Sequence, residues 1–163
     1  TNAVIIGSSG TVALTQNEVV YGASNSSVGV AMTKTFSGTV SAEATGTMLS
    51  FKAKDGTASP TGATNYLGGE VVLTLKKGSD YETKKIMIHH DGDPSSAADI
   101  FITEYATLGV ELGETLVTDM GDADGTSLTS NQDKHVQFKL TAPAGGAVTY
   151  AGVAHLVEVP GDS

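Results

Sequence analysis

The chain has 163 residues, 39% hydrophobic and 17% charged, with a net charge of −9 and no Cys. That length supports one domain with a sizeable core, burying roughly 70% of its unfolded surface. All nine basic residues are Lys, so there is no guanidinium fork for phosphate or guanine; the acidic balance argues against nucleic-acid binding, and the lack of Cys removes disulfides, thiolate metal sites and thiol nucleophiles.

No apolar run approaches the roughly 18 residues needed to cross a bilayer, and no charged stretch followed by a long apolar core opens the chain. Thr1 is what removal of an initiator Met would leave, so a mature, soluble, unsecreted product with no membrane partner is expected. Residues 1–47 contain short apolar bursts separated by Gly, Ser and Asn. Short strands are predicted near Ala3–Ile6, Thr11–Thr15 and Glu18–Tyr21, with a loop at Gly22–Ser27. These bursts either complete the domain's sheets or form an extended arm lying on a neighbouring subunit.

From Met48 the pattern sharpens, and residues 48–163 are predicted to form a β-sandwich domain. Leu49, Phe51 and Ala53 alternate with Ser50, Lys52 and Lys54, the period of a half-buried strand. Asp55–Gly56 ends it, and a long polar loop containing Pro60 runs to Gly69. Glu70–Lys76 is the next strand, with Val71, Leu73 and Leu75 on one face. A turn at Lys77–Asp80 leads to a hairpin, Ile86–His90 and Ile100–Tyr105, whose tip is rich in Asp, Gly, Pro and Ser. Both hairpin strands carry apolar groups on both faces: Ile86 and Ile88 share a side with His90, Met87 with His89, while Ile100/Ile102 and Phe101/Tyr105 compete for the interior. Such a pair belongs inside a sandwich or against a partner.

A strand is predicted across Leu112–Asp119, then an acidic turn at Gly121–Gly125. Val136, Phe138 and Leu140 alternate with His135, Gln137 and Lys139, a strand buried on one face. A turn at Pro143–Gly146 precedes a last strand or strand pair, Val148–Val159. No window sustains helical spacing over three turns. The fold class expected is all-β, an antiparallel β-sandwich or jelly-roll-like domain with little helix. Charge is lopsided along this order: three Lys balance three acids up to Gly69, whereas six Lys face fifteen acids from Glu70 onward. The later part therefore presents a solvated face or one turned toward a cationic partner.

Three groups invite a chemical reading. His89, His90, Asp91 and Asp93 resemble a metal or acid/base cluster, but adjacent strand residues point to opposite faces, and Asp91–Gly92 is the natural opening of a turn. Asp119, Asp122 and Asp124 raise calcium, an oxygen-seeking cation. Counted from Asp122, however, Ser127 stands where an EF-hand loop requires Gly, and Asp133 stands at its twelfth position instead of Glu. A solvated acidic turn is the better reading. Gly7–Ser8–Ser9–Gly10 lacks the spacing of a nucleophile elbow, and no Walker or H-E-x-x-H motif occurs. The expectation is a protein that is not an enzyme, with no catalytic, cofactor-binding or metal-binding residues and no cofactor.

The segments VVLTLKK, IMIHHDG, IFITEYA, LGVELGETLVTDMGD, VQFKLTAPA and VAHLVEV occur in that order from Glu70 onward. This succession, above all His90-Asp91-Gly92 followed by Thr103-Glu104-Tyr105, resembles a recurrent module of tailed-bacteriophage virion structural proteins, especially of marine and cyanobacterial phages. The loop DPSSAAD and the stretch Gly121–Asp133 are longer than the pattern, so its surface partners do not carry over. The resemblance implies a non-enzymatic capsid decoration protein, a cement or knob on the outer surface of the phage head, made in the host cytoplasm. Its partners would be the phage major capsid protein and copies of itself. The neutral first third is expected to face the shell and the acidic remainder to face water. The alternative is a tail- or fibre-associated module, or one binding host-surface glycan. No fixed-period repeat supports a fibre shaft, and aromatics at 6% with no Trp offer few sugar platforms.

Overall fold

Alternation in the sequence becomes two facing sheets. A computed structural model of the chain describes residues 4–6, 18–21, 30–54, 66–90, 100–121 and 134–159. Among these residues there are ten strands: β1 Val4–Ile6, β2 Glu18–Tyr21, β3 Val30–Val40, β4 Thr45–Lys54, β5 Tyr66–Lys77, β6 Asp80–His90, β7 Ile100–Gly109, β8 Thr115–Gly121, β9 Lys134–Thr141 and β10 Val148–Val159. A seven-stranded sheet has the order β1-β2-β3-β10-β5-β6-β7, and a three-stranded sheet has the order β4-β9-β8. All pairings are antiparallel except β1 with β2. The all-β, sandwich-like class expected from the sequence is the observed one.

The core lies between the sheets. Val71, Leu73 and Leu75 of β5, Ile86 and Ile88 of β6 and Ile100 of β7 join Leu49, Phe51, Val136, Phe138 and Leu140 of the small sheet in one buried cluster. Two side chains of the large sheet reach backbone carbonyls of the small one: Lys34 Nζ donates to Ser50 O at 2.7 Å, and the Tyr150 hydroxyl donates to Thr47 O at 3.4 Å. Ile100 and Ile102 take the interior, and Phe101 and Tyr105 stand outside, which resolves their competition. Two adjacent residues on one strand cannot both face the core.

Several boundaries differ from expectation for physical reasons. β5 begins at Tyr66 and takes in Gly68 and Gly69, read from sequence as loop. A Cβ at Gly69 would overlap the His155 carbonyl oxygen of β10 and lie 2.8 Å from Leu156 Cα. The glycine that looks like a loop residue is thus the one residue that fits this strand position. Gly69→Ala is expected to cost about 1–3 kcal/mol through forced backbone displacement, measured as a lowered urea midpoint; an unchanged midpoint would contradict the tight contact. β8 begins at Thr115 rather than Leu112, because residues 110–114 carry the chain from the large sheet to the small one.

β3 is eleven residues long and pairs with β10 from Val30↔Glu158 to Val40↔Val148. Its outward Thr33, Thr35, Ser37 and Thr39 dilute the apolar alternation, so the sequence shows only bursts. The division at 47/48 falls inside β4. On β9, His135 and Gln137 are buried along with Val136 and Phe138, so this strand is covered on both faces. The tight β5–β6 turn occurs as expected: Gly78 takes a φ of 62° at the first of two turn positions, with Lys77 paired to Asp80, as a type II′ hairpin turn requires. The strand expected at Thr11–Thr15, the loops at Gly22–Ser27 and 55–65, the hairpin tip and most of the acidic turn lie outside the described residues.

Candidate functional site

The histidines of β6 part company. His90 is buried on the inner face, whereas His89 stacks on Phe101 outside, with ring centroids 5.1 Å apart, and its Nδ1 lies 3.0 Å from His90 O. Strand geometry thus keeps them from sharing one site, and Asp91 and Asp93 lie outside the described residues. Asp119 pairs with Lys139 at 2.6 Å; Asp122 and Asp124 are outside the described residues. Among the described residues, no group of three or more His, Asp or Glu side chains is arranged to hold a metal ion, and no helix is long and apolar enough to cross a membrane.

A charged cluster that the sequence reading missed lies at the inner end of β6. Lys84 Nζ is 2.9 Å from Glu82 Oε1, 3.1 Å from Glu104 Oε2 and 3.1 Å from Glu114 Oε1. The side chains of Glu82 and Glu114 are 0% and 1% exposed. Glu82 Oε2 also accepts a hydrogen bond from Leu112 N at 3.0 Å, and Glu104 accepts one from the Thr107 hydroxyl. Three carboxylates converge, but an ammonium already occupies their centre. The arrangement clamps residues 110–114, the link between the sheets, onto β6, and its role is structural. The signal was present: period-two alternation puts Glu82 and Lys84 on the face of Ile86 and Ile88.

Titration follows from these contacts. Burial alone would lower the Lys84 pKa, but its bonds to Glu82, Glu114 and Glu104 outweigh burial and hold it above the ordinary 10.5. The Thr107 hydroxyl and then Lys84 keep Glu104 below its ordinary 4.5 against the opposing effect of burial. Lys139, with help from the Met120 N–H, lowers Asp119. Lys85 and then the Tyr105 hydroxyl lower Glu70. Carboxylates lowered on folding stabilise the fold above their unfolded pKa, and this contribution is lost as pH falls through their folded values. The Lys84 contribution is complete below its unfolded pKa and is lost only as pH rises through the raised folded one. Thermal stability is therefore expected to hold across neutral pH, to fall below about pH 4 and to fall again in strong alkali. Melting temperatures across pH check this; a decline centred near neutrality would contradict it.

The opposite, outward face of β6 and β7 has a different character. Met87, Phe101 and Tyr105 are 49%, 53% and 48% exposed, and Tyr81, Leu108 and Val110 are also exposed. Polar groups are interleaved with them: Lys85 Nζ lies 2.9 Å from Glu70 Oε2 and 5.3 Å from the centre of the Tyr105 ring, and the Tyr105 hydroxyl donates to Glu70 Oε2 at 3.0 Å. Elsewhere the outer face is mostly threonine, with cross-strand contacts such as Thr39–Thr149 at 3.1 Å and Thr74–Thr83 at 3.1 Å. Val157 of β10 is exposed as well, but the other large exposed apolar and aromatic side chains lie on β6, β7 and Val110 just beyond. They form the candidate functional surface.

Comparison with known proteins adds little to this geometry. No protein-family model matches the chain, and no curated protein matches it. Among solved structures, the crystal structure of the tailspike protein of Acinetobacter baumannii phage AM24 aligns with a TM-score of 0.34 and 8% identity, over 77% of this chain and 26% of that one. The chain spans about a quarter of the tailspike's length. A TM-score this low does not establish a shared fold, so the functional reading rests on the residues of this chain.

Proposed function

We propose that the chain is a non-enzymatic virion structural protein, a decoration protein docked on the outer surface of a phage head. The observation that carries a structural role is the gathering of Met87, Phe101, Tyr105, Leu108 and Val110 on one exposed end of the large sheet. Large exposed apolar groups concentrated on one pair of strands are suited to meeting another macromolecule. The phage head enters through the resemblance of His90-Asp91-Gly92 and Thr103-Glu104-Tyr105 to virion proteins. The acidic remainder suits a component that stands in water.

Detection of the chain on DNA-filled heads and its absence from separated tails would support this reading; the reverse distribution would overturn it. Removing residues 1–47 is a poor test of which face meets the shell, because it deletes β3 from beside β10 and cuts into β4. Thr35→Lys and Ser37→Lys, on the exposed side of β3, leave the core intact. If the first third faces the shell, these variants will co-sediment with heads less than the parent does; undiminished binding would count against that orientation.

A second reading, attachment to host-surface glycan, is favoured by one feature. Tyr105 presents its ring beside Glu70 and Lys85, and Phe101 stacks on His89 nearby, the pairing of apolar platform and polar groups that sugars use. Adsorption of the purified chain to host cells, lost in Phe101→Ala, would favour this alternative over decoration.

A further inference from the structure

β7 ends the seven-stranded sheet, and one of its two edges is free of any strand among the described residues. We infer that this edge pairs antiparallel with β7 of a second copy, joining two large sheets across a two-fold axis. The inference deepens the virion reading by naming a partner, and it rests on that reading only for its setting.

Half of the N–H and C=O groups of an edge strand point away from the sheet, so a long bare edge is a template for another strand. β7 runs for ten residues, Ile100–Gly109, and nearly all of its side chains after Ile100 are exposed or half exposed. It contains no Lys and no Pro, the residues that usually guard such edges. Its single ionisable acid, Glu104, turns inward to Lys84, and the nearby Glu70 and Lys85 neutralise one another. On a chain of net charge −9, this edge is therefore a place where two copies approach without like-charge repulsion. A bulge between Lys85 and Ile86 in the β6–β7 register bends the strand near Tyr105 but leaves Ile100–Glu104 regularly paired.

An antiparallel pair is self-complementary, as a two-fold interface must be. Centred on Thr103, it sets Phe101 against the partner's Tyr105 and Tyr105 against the partner's Phe101. With aromatic side chains burying about 150–250 Å² each when fully enclosed, the half-exposed Phe101 and Tyr105 offer roughly 200 Å² per copy. Together with the backbone edge this falls in the range of weak, transient contacts, below about 1,200 Å² in total. The expected dimer is reversible and concentration-dependent.

The absence of Cys permits a clean test on the isolated full chain. Sedimentation should show a monomer–dimer equilibrium that Phe101→Lys shifts at least tenfold toward monomer, with circular dichroism confirming that the variant folds. Tyr105→Glu is a second disrupting variant should the first fail to fold. Thr103→Cys should form a disulfide-linked dimer under mild oxidation, whereas Thr35→Cys, exposed on the distant β3, should not. A monomer at all concentrations together with an uncrosslinked Thr103→Cys would overturn the proposal. So would a dimer indifferent to both disrupting variants, or equal crosslinking at both positions. A chain that stays monomeric yet loses head binding in Phe101→Lys would assign the edge to the capsid protein and overturn pairing between copies, leaving decoration itself intact.

Discussion

Lys84→Met is expected to lower the free energy of unfolding by about 3–5 kcal/mol, the usual cost of removing one partner from a buried ion cluster. Methionine keeps the apolar stem but removes the ammonium that lies within 3.1 Å of Glu82, Glu104 and Glu114. Two almost fully buried carboxylates would then face each other with no cation between them. Adding Glu82→Gln and Glu114→Gln to Lys84→Met should recover much of the loss, because uncharged residues of similar size avoid an uncompensated charge. Urea unfolding of the parent, the single variant and the triple variant gives the comparison. A loss below about 1 kcal/mol in Lys84→Met, typical of exposed pairs, would show that water reaches the cluster. The Leu112 N–H bond to Glu82 links this to architecture, and slower refolding of the crossing at 110–114 is expected alongside the lost stability.

Phe138→Ala should cost a comparable amount, about 3–5 kcal/mol. Phe138 is fully buried at the middle of the small sheet, paired with Leu49 on one side and Thr118 on the other. Its ring fills the space between the sheets, and neighbours held by two hydrogen-bonded ladders cannot collapse into the cavity left behind. Phe138→Leu should lose clearly less, since more of the volume is kept. Chemical denaturation with an unchanged m value would attribute the difference to the folded state. Equal losses for Ala and Leu would mean that the ring contributes little packing of its own.

Legibility followed the clarity of alternation. Glu70–Lys76 and His135–Leu140 announce themselves because every second residue is a large aliphatic or aromatic group and the intervening ones, Val72 apart, are polar. Val30–Val40 does not, since Thr, Ser and Gly fill it, and its place beside β10 depends on a partner more than 100 residues away. Gly68 and Gly69 carry a turn composition and yet lie in a strand; at Gly69, β5 and β10 approach too closely for a side chain, and at Gly68 a Cβ would lie 3.1 Å from His89 Cβ of β6. The histidine pair was readable as a mere strand feature from adjacency alone. The Lys84 cluster was not recognised, although Glu82 and Lys84 share the face of Ile86 and Ile88, because Glu104 and Glu114 come from β7 and the link beyond it.

The sequence by itself determined an all-β chain with a weakly charged, threonine-rich surface, the main hairpin and the residues that alternate into the core. Period-two patterning is local, and each strand carries it in its own residues. Only the tertiary structure decided which side of Ile100–Tyr105 faces inward, that a lysine sits among three carboxylates, and that Met87, Phe101 and Tyr105 gather on one open end of the sheet. Those outcomes depend on register and strand order, which arise when distant segments compete for the same core and hydrogen-bonding edges.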